Sequence, residues 1–196
     1  ARWKKQIWMA RVASPSVLPA QTVRIMIICR QHGDEPAPTE AAIKLLHGMA
    51  NGEDEALLHD LASVTLYVIP MANPDGADAL TRTNGVGADL NRDWGVFSQP
   101  ETAAIARAAR EIRPQIIIDE HNWDGDDPYD ANCIEVSRAE TSPLLRDEHA
   151  TQHLLARCLA DSGYQVYQTA YGQNINQRLA HRYFTHHGIV SLLVET

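Results

Sequence analysis

The sequence predicts an α/β protein, a three-layer α/β/α sandwich around a mixed, largely parallel sheet. Three short apolar runs, rich in β-branched residues, predict buried strands at Val23–Cys29, Val64–Ile69 and Ile116–Asp119. Segments with helical spacing lie between them, as at Pro38–Met49, where apolar residues recur on one face. Strands that alternate with helices in this way are typical of an α/β sandwich.

The other elements are predicted from periodicity and from turn residues. An edge strand is expected at Trp8–Val12 and a closing strand at Ile189–Glu195. Asn73-Pro74-Asp75-Gly76 has the proline and glycine chemistry of a turn. The stretch from Asn122 to Asp147 is polar and irregular apart from a short apolar run at Cys133–Val136. Further helices are predicted at Glu101–Ile112, Glu148–Ala160 and Ile175–His187.

Length and composition favour one soluble-type domain over residues 1–196. The net charge of −8 argues against a nucleic-acid-binding surface, and no apolar run approaches the roughly 18 residues of a membrane span. Cys29 ends a predicted core strand, so we expect a buried free thiol there. The sequence stops at Thr196, directly after Glu195, which leaves open a truncation of the domain at this end. The compartment (cytoplasm or periplasm) and the oligomeric state are left open as well.

Two histidines and a glutamate directly follow predicted strands and point to a metal site. His32 and Glu35 form an H-x-x-E pair after the first strand, and His121 follows the third. Zinc takes nitrogen and oxygen ligands, and catalytic sites use three protein ligands plus a water. Since side chains alternate along a strand, Asp119 points the same way as His121 and can accept its imidazole N–H, whereas Glu120 points away. One zinc ion per chain is therefore expected.

Each of these residues also has an interpretation without a metal site. A solvated loop is the default for an isolated H-x-x-E match, and a lone histidine is more often a surface or core residue than a ligand. His149 and His153, four apart on a predicted helix, are a second candidate pair without an evident third ligand. Histidines around the last helix are interpreted as surface residues, although the last of them could line a cleft; they are His181, His186 and His187.

A polar loop after the second strand adds groups that suit an anion. It runs from Arg82 to Arg92 and includes Asn91. The guanidinium fork matches a carboxylate or a developing oxyanion. The alternative interpretation of this loop is a solvated polar segment.

Taken in order, these motifs resemble those of zinc carboxypeptidases of the M14 type, over about residues 24 to 195. The matching motifs are His32-x-x-Glu35, Asn73-Pro74-Asp75-Gly76, Arg82, Leu90-Asn91-Arg92, Asp119-x-His121 and Glu195. The resemblance implies that His32, Glu35 and His121 bind the zinc ion. It implies that Arg82 polarises the scissile carbonyl, that Asn91 and Arg92 hold a terminal carboxylate, and that Glu195 is the general base and acid.

The sequence departs from the digestive branch of that family. Asp34 stands between the first two metal ligands, where that branch has arginine, and the stretch from Arg82 to Asn91 is compact. Both traits look more like the small bacterial branch that cleaves cell-wall peptides. The family's substrate-capping tyrosine would be Tyr171, preferred over Tyr183, which is interpreted as a packing residue in a helix.

The resemblance implies a zinc-dependent metallocarboxypeptidase that hydrolyses a peptide or amide bond next to a free carboxylate, with cell-wall-type peptides among the candidate substrates. Two rivals are left open. One is an N-acyl-amino-acid deacylase of the aspartoacylase or succinylglutamate desuccinylase type, which shares H-x-x-E and an Asp-Leu-Asn-Arg segment. The other is a catalytically silent peptide-binding relative. The Asn73-Pro74-Asp75-Gly76 segment and the spacing from His121 to Glu195 favour the peptidase.

Overall fold

A seven-stranded mixed sheet forms the centre of the protein, seen in a computed structural model that describes residues 5–15, 17–18, 21–53, 59–123, 132–137, 144–171 and 178–195. The spatial order of the strands is β1-β3-β2-β4-β7-β5-β6. β1 runs antiparallel to β3, and β5 antiparallel to β7, while the other neighbours are parallel. The strands are β1 Ala10–Val12, β2 Val23–Cys29, β3 Val64–Ile69, β4 Ile116–His121, β5 Cys133–Ser137, β6 Tyr167–Tyr171 and β7 Val190–Glu195.

Helices cover both faces of this sheet. The helices are α1 Ala37–Asn51, α2 Pro74–Ala79, α3 Pro100–Ile112, α4 Leu145–Asp161 and α5 Ala180–His186, and a 3₁₀ turn spans Leu90–Arg92. On one face α3 and α5 pack on β2, β3 and β4 around the buried Trp94. On the other face α1 packs on β2 and β3, and α4 packs on β5 and β7. Apolar residues alternate between these two cores along each strand, which produces three layers.

The predicted fold class is confirmed. The strands Val23–Cys29 and Val64–Ile69 begin and end where the apolar runs do, and Cys29 is buried with a free thiol. The predicted turn at Asn73 is wrong in one respect, because Asn73 caps a short helix that begins at Pro74, accepting a hydrogen bond from Gly76 N at 2.9 Å. β6 was not predicted at all.

Three parallel strands end side by side at one edge of the sheet. β2, β4 and β7 are consecutive neighbours, with Cys29 opposite Glu120 and His121 opposite Glu195. The predicted strand-end residues therefore meet at the carboxyl edge, where α/β sheets place their ligands. In the part of the chain described, none of the helices has the length and apolar character needed to cross a membrane.

Candidate active site

The loop after β2 is held against α2 with no spare room. Arg30 leaves the strand with a positive φ of 58°, which turns the chain toward His32. A Cβ on Gly33 would lie 2.0 Å from the backbone carbon of Gly76, so only glycine fits at this contact. Asn73 also holds this loop in place, since its Nδ2 donates a hydrogen bond to Gln31 O at 3.0 Å. The Asn73-Pro74-Asp75-Gly76 segment thus fixes the backbone that carries the first two candidate ligands.

The structure brings His32, Glu35 and His121 together. The Nδ1 atom of His32 lies 2.6 Å from Glu35 Oε1, and the Nδ1 atom of His121 lies 2.9 Å from Glu35 Oε2. One donor atom from each of the three residues lies within 4.8 Å of the other two. Among the described residues this is the group of histidine, cysteine and acidic side chains that could hold a metal ion. Two imidazole nitrogens and a carboxylate are a donor set that suits zinc.

The electrostatic field of this group also suits a cation. Burial acts to lower the pKa of His32 and of His121, but neighbouring carboxylates outweigh it and raise both. Burial would likewise raise the pKa of Glu35, yet hydrogen bonds from the two histidines hold it at about 2. The carboxylate is therefore ionised at neutral pH, the form in which it binds metal. The donor set and its negative surroundings fit a zinc ion held by these three residues.

Each candidate ligand histidine has a second carboxylate behind it. His121 Nε2 lies 3.3 Å from Asp119 Oδ2, and His32 Nε2 lies 3.2 Å from Asp89 Oδ1. Such partners set the tautomer and the orientation of metal-binding imidazoles. Asp119 stands where strand alternation predicted it, whereas a role for Asp89 was not foreseen.

A buried network beneath Asp119 was also missed from the sequence. Gln31 Nε2 donates to Asp119 Oδ1 at 2.5 Å, and Trp94 Nε1 donates to Gln31 Oε1 at 2.7 Å. All three side chains are at most 1% exposed. In the sequence, only the positions of Gln31, directly before His32, and of Trp94, two residues after Arg92, could have indicated this network. Both residues are easily interpreted as ordinary core residues.

A pocket of about 350 Å³ opens beside the three candidate ligands. It brings together several of the predicted residues from separate elements: His32, Glu35, Arg82, Asn91, Arg92 and Glu195. Further residues that line it are Trp123, Cys133, Glu135, Thr169, Leu179 and Leu193. Polar and charged groups that converge from separate elements on one concave site are typical of a ligand-binding pocket.

The loop from Arg82 to Arg92 forms one wall of this pocket. Arg82 Nε donates to Asp89 Oδ2 at 3.0 Å, and its Nη1 lies 3.9 Å from Glu35 Oε1. Arg92 Nη1 donates to the carbonyl of Asn91 at 2.8 Å and is exposed. Asn91 is buried: its Oδ1 accepts from Ala180 N at 2.9 Å, and its Nδ2 lies 3.1 Å from His121 Nε2. Both guanidinium groups are exposed, and Arg82 is paired with Asp89, while the amide of Asn91 is held by protein contacts.

Glu195 lines the same pocket, at the end of β7. Its backbone is the register partner of His121, and its Oε2 is buried without a hydrogen-bond partner in the described structure. Burial raises the pKa of Glu195 to about 7. A carboxyl group with a pKa near neutrality can both accept and return a proton at physiological pH.

Other candidates from the sequence have different surroundings. His149 and His153 form no metal-ligand group among the described residues. The interpretation of His181 as a surface residue is wrong, because this side chain is 0% exposed and lies 2.6 Å from Glu135.

Tyr183 packs on Trp94 and Phe97, as a packing residue would. His186 and His187 are exposed, and His187 is not part of the pocket lining. Tyr171 ends β6, but its side chain lies outside the described residues.

Comparison with known proteins finds similarity to carboxypeptidases. A sequence model of the family described as zinc carboxypeptidase matches residues 3–97. This stretch contains His32, Glu35, Arg82, Asn91 and Arg92. The resemblance to the zinc carboxypeptidases is confirmed. Carboxypeptidase SOL1 of Arabidopsis thaliana is 29% identical over 120 residues, which cover 55% of this chain and 24% of that protein. Carboxypeptidase E of Caenorhabditis elegans is 24% identical over 182 residues, covering 70% and 38%.

Solved carboxypeptidase structures share the fold. A metallo-carboxypeptidase from Burkholderia cenocepacia superposes with a TM-score of 0.77 at 27% identity, over 96% of this chain and 51% of that one. A metallo-carboxypeptidase from Pseudomonas aeruginosa, solved with (2-guanidinoethylmercapto)succinic acid, has a TM-score of 0.78 at 22% identity, over 98% and 52%. The chain therefore has the zinc carboxypeptidase fold, and bacterial carboxypeptidases are among the solved structures that share it. The chain spans about half the length of these structures and less of the curated relatives.

Proposed function

We propose that this chain carries the catalytic site of a zinc-dependent metallocarboxypeptidase that hydrolyses a peptide or amide bond next to a free carboxylate. The observation that carries the proposal is one pocket, beside the His32–Glu35–His121 donor set, that brings together the half-buried Glu195 and two exposed guanidinium groups. The family supports peptidase chemistry, and cell-wall-type peptides are retained as one substrate class.

Each group has a task in this reaction. His32, Glu35 and His121 would hold the zinc ion, which when bound polarises a carbonyl and activates water. Glu195, with its pKa raised to about 7, takes a proton from the attacking water and delivers it to the leaving amine. Arg82, beside Glu35, stabilises negative charge that develops on the carbonyl oxygen.

Arg92 would fix the substrate by its terminal carboxylate. Its guanidinium group is exposed and lines the same pocket as Glu195. Binding a carboxylate there would orient the last peptide bond between the zinc site and Glu195, which is how positioning lowers a barrier. Asn91 lines the same pocket and would bind the carboxylate together with Arg92, while its contacts with Ala180 N and His121 Nε2 hold its amide in place.

The test is metal analysis coupled to a substrate panel. We expect one zinc ion per chain and cleavage of C-terminally free peptides or muropeptides, while N-acyl amino acids are cleaved slowly. His121→Ala should bind zinc weakly and hydrolyse nothing, whereas His153→Ala, at an exposed position of helix α4, serves as the matched control and should keep both properties. Faster cleavage of N-acyl amino acids would instead establish the deacylase, and full zinc occupancy without any hydrolysis would establish a silent relative.

A further inference from the structure

A second pocket lies at the other end of the sheet from the candidate active site. It has a volume of about 450 Å³ and lies between the end of α3 and the end of α5. Pro114 lines it two residues before β4 begins, and Ile189 lines it directly before β7. His121 and Glu195 stand at the opposite ends of these two strands, and a strand of this length spans roughly 17–20 Å. The second pocket is therefore separate from the one that Glu195 lines.

The walls of the second pocket are largely apolar. Ala106 and Ala109 of α3 present only methyl groups to it, which leaves room between the two helices. On the other side Phe184 is buried, and the ring of Tyr183 packs on that of His187 with 4.1 Å between their centroids. The Nδ1 atom of His187 donates to the carbonyl of Tyr183 at 2.7 Å, which holds this imidazole against the wall. An aromatic or branched apolar group that entered here would bury its surface between these walls.

Two arginines at the rim carry positive charge that the fold does not use. Arg110 and Arg113 line the pocket and are exposed, and neither side chain forms an ion pair with a described residue. Arg110 lies in the last turn of α3 and Arg113 caps it, but the dipole at a helix end amounts to only about half a unit charge. Among the described residues that line the pocket, none is acidic. The rim therefore has an excess of positive charge, in a protein whose net charge is −8.

Arg113 occupies its position against a backbone preference. It ends α3 in the left-handed region, with φ 53° and ψ 62°, where glycine is favoured. Its N–H donates to Ala109 O at 2.8 Å, and its carbonyl accepts from Arg24 Nε at 2.9 Å. Both bonds use backbone atoms, so glycine would make them equally well. The described contacts thus give the side chain of Arg113 no structural task, and residues kept in such conformations are often functional.

We propose that the second pocket binds a small molecule that combines an aromatic or branched apolar body with a carboxylate. The apolar body would pack on Tyr183 and Phe184. The carboxylate would accept hydrogen bonds from the guanidinium groups of Arg110 and Arg113, whose fork matches it. The volume of about 450 Å³ is in the size range of small-molecule sites. The inference does not depend on the proposed hydrolysis, because the two pockets share no lining residue among those described.

The experiment is a calorimetric titration of the zinc-supplemented protein with matched probes. Phenylbutyrate carries the carboxylate, phenylbutyramide is its neutral counterpart, and phenylbutylamine is its cationic counterpart. We expect phenylbutyrate to bind at least about tenfold more tightly than the amide, the usual worth of a hydrogen bond to a charged group, and the amine to bind more weakly still.

Variants at the rim separate a binding role from a structural one. Arg113→Gly should weaken phenylbutyrate binding by about tenfold, while its unfolding midpoint stays equal or rises, since glycine suits the left-handed backbone there. Arg110→Gln should weaken binding as well. Arg107→Gln removes an exposed arginine of the same helix that does not line the pocket. It is the matched control and should keep the wild-type affinity.

A further variant shows which pocket the probe occupies, because the candidate active site also has exposed guanidinium groups. In Arg92→Ala we expect phenylbutyrate still to bind, and the addition of Arg113→Gly to weaken this binding by about tenfold. Loss of binding in Arg92→Ala alone, or an unchanged affinity when Arg113→Gly is added, overturns the inference. Equal affinity for phenylbutyrate and its amide, or no binding of any probe at millimolar concentration, overturns it as well.

Discussion

Replacing Gln31 with leucine should weaken both the fold and the zinc site. The change removes the acceptor of Trp94 Nε1 and the donor to Asp119 Oδ1, at 2.7 and 2.5 Å, in a region that excludes water. Each buried polar group left without a partner costs about 1–3 kcal/mol. The two together predict a loss of about 2–6 kcal/mol in the free energy of unfolding. Because Asp119 orients His121, zinc affinity should fall by about 10–100-fold.

The two effects of Gln31→Leu are measured separately. Chemical denaturation of the metal-free protein gives the stability loss without the contribution that bound zinc adds. Competition against a chelator of known affinity gives the zinc dissociation constant. Gln115→Leu is the matched control. Gln115 Oε1 accepts a hydrogen bond from Arg24 N at 2.9 Å, but this contact is exposed to solvent. Its removal should therefore lower the free energy of unfolding by less than about 1 kcal/mol. Unchanged zinc affinity in a destabilised Gln31→Leu protein would refute the orienting role of the network.

Three further predictions concern single side chains. Glu195→Gln should retain zinc while kcat falls by about 10²–10⁴-fold, and loss of zinc on dialysis would make this residue a ligand instead. Arg92→Ala, and to a lesser extent Arg92→Lys, should raise KM for free-acid peptides while amidated peptides, already poor, change little; an equal effect on both kinds of substrate would remove Arg92 from carboxylate binding. Burial raises the pKa of Glu148 from 4.5 to about 7. Between these two pH values the folded state holds a proton that the unfolded state has released, so the free energy of unfolding should fall as pH rises from about 4.5 to 7. Glu148→Gln should remove this fall and gain about 1–2 kcal/mol at pH 8, as denaturant titrations of both proteins at pH 5 and pH 8 would show.

The central strands could be predicted because burial on both faces leaves a continuous apolar run. Val23–Cys29 and Val64–Ile69 are such runs, and turn residues bound them. The strand-end positions of His32 and His121 followed from the same runs, which is why the candidate metal site could be placed from the sequence. β6 could not be found this way, since Tyr167–Tyr171 lies at the sheet edge and contains no continuous apolar run.

Other parts of the site depend on contacts between distant segments. His181 was interpreted as a surface residue together with the other histidines around the last helix, but α5 turns it toward Glu135 on β5. Glu135 itself was hidden in the apolar run Cys133–Val136. Strict alternation there, with Ile134 and Val136 in one core and Glu135 on the other face, was the signal that could have revealed it. Gln31 acts through Asp119, 88 residues later, and no local pattern reports such a pairing.

The position of β7 has a consequence for how the molecule assembles during synthesis. β7 stands between β4 and β5, although it follows both in the chain. Before residues 190–195 leave the ribosome, the strands can form only two separate sheets, β1-β3-β2-β4 and β5-β6. Pairing over such long sequence separations is slow and leaves open edges in the meantime. Glu195 reaches His121 in the same step that joins the two sheets, so a nascent chain is without a complete active site until its sheet is closed.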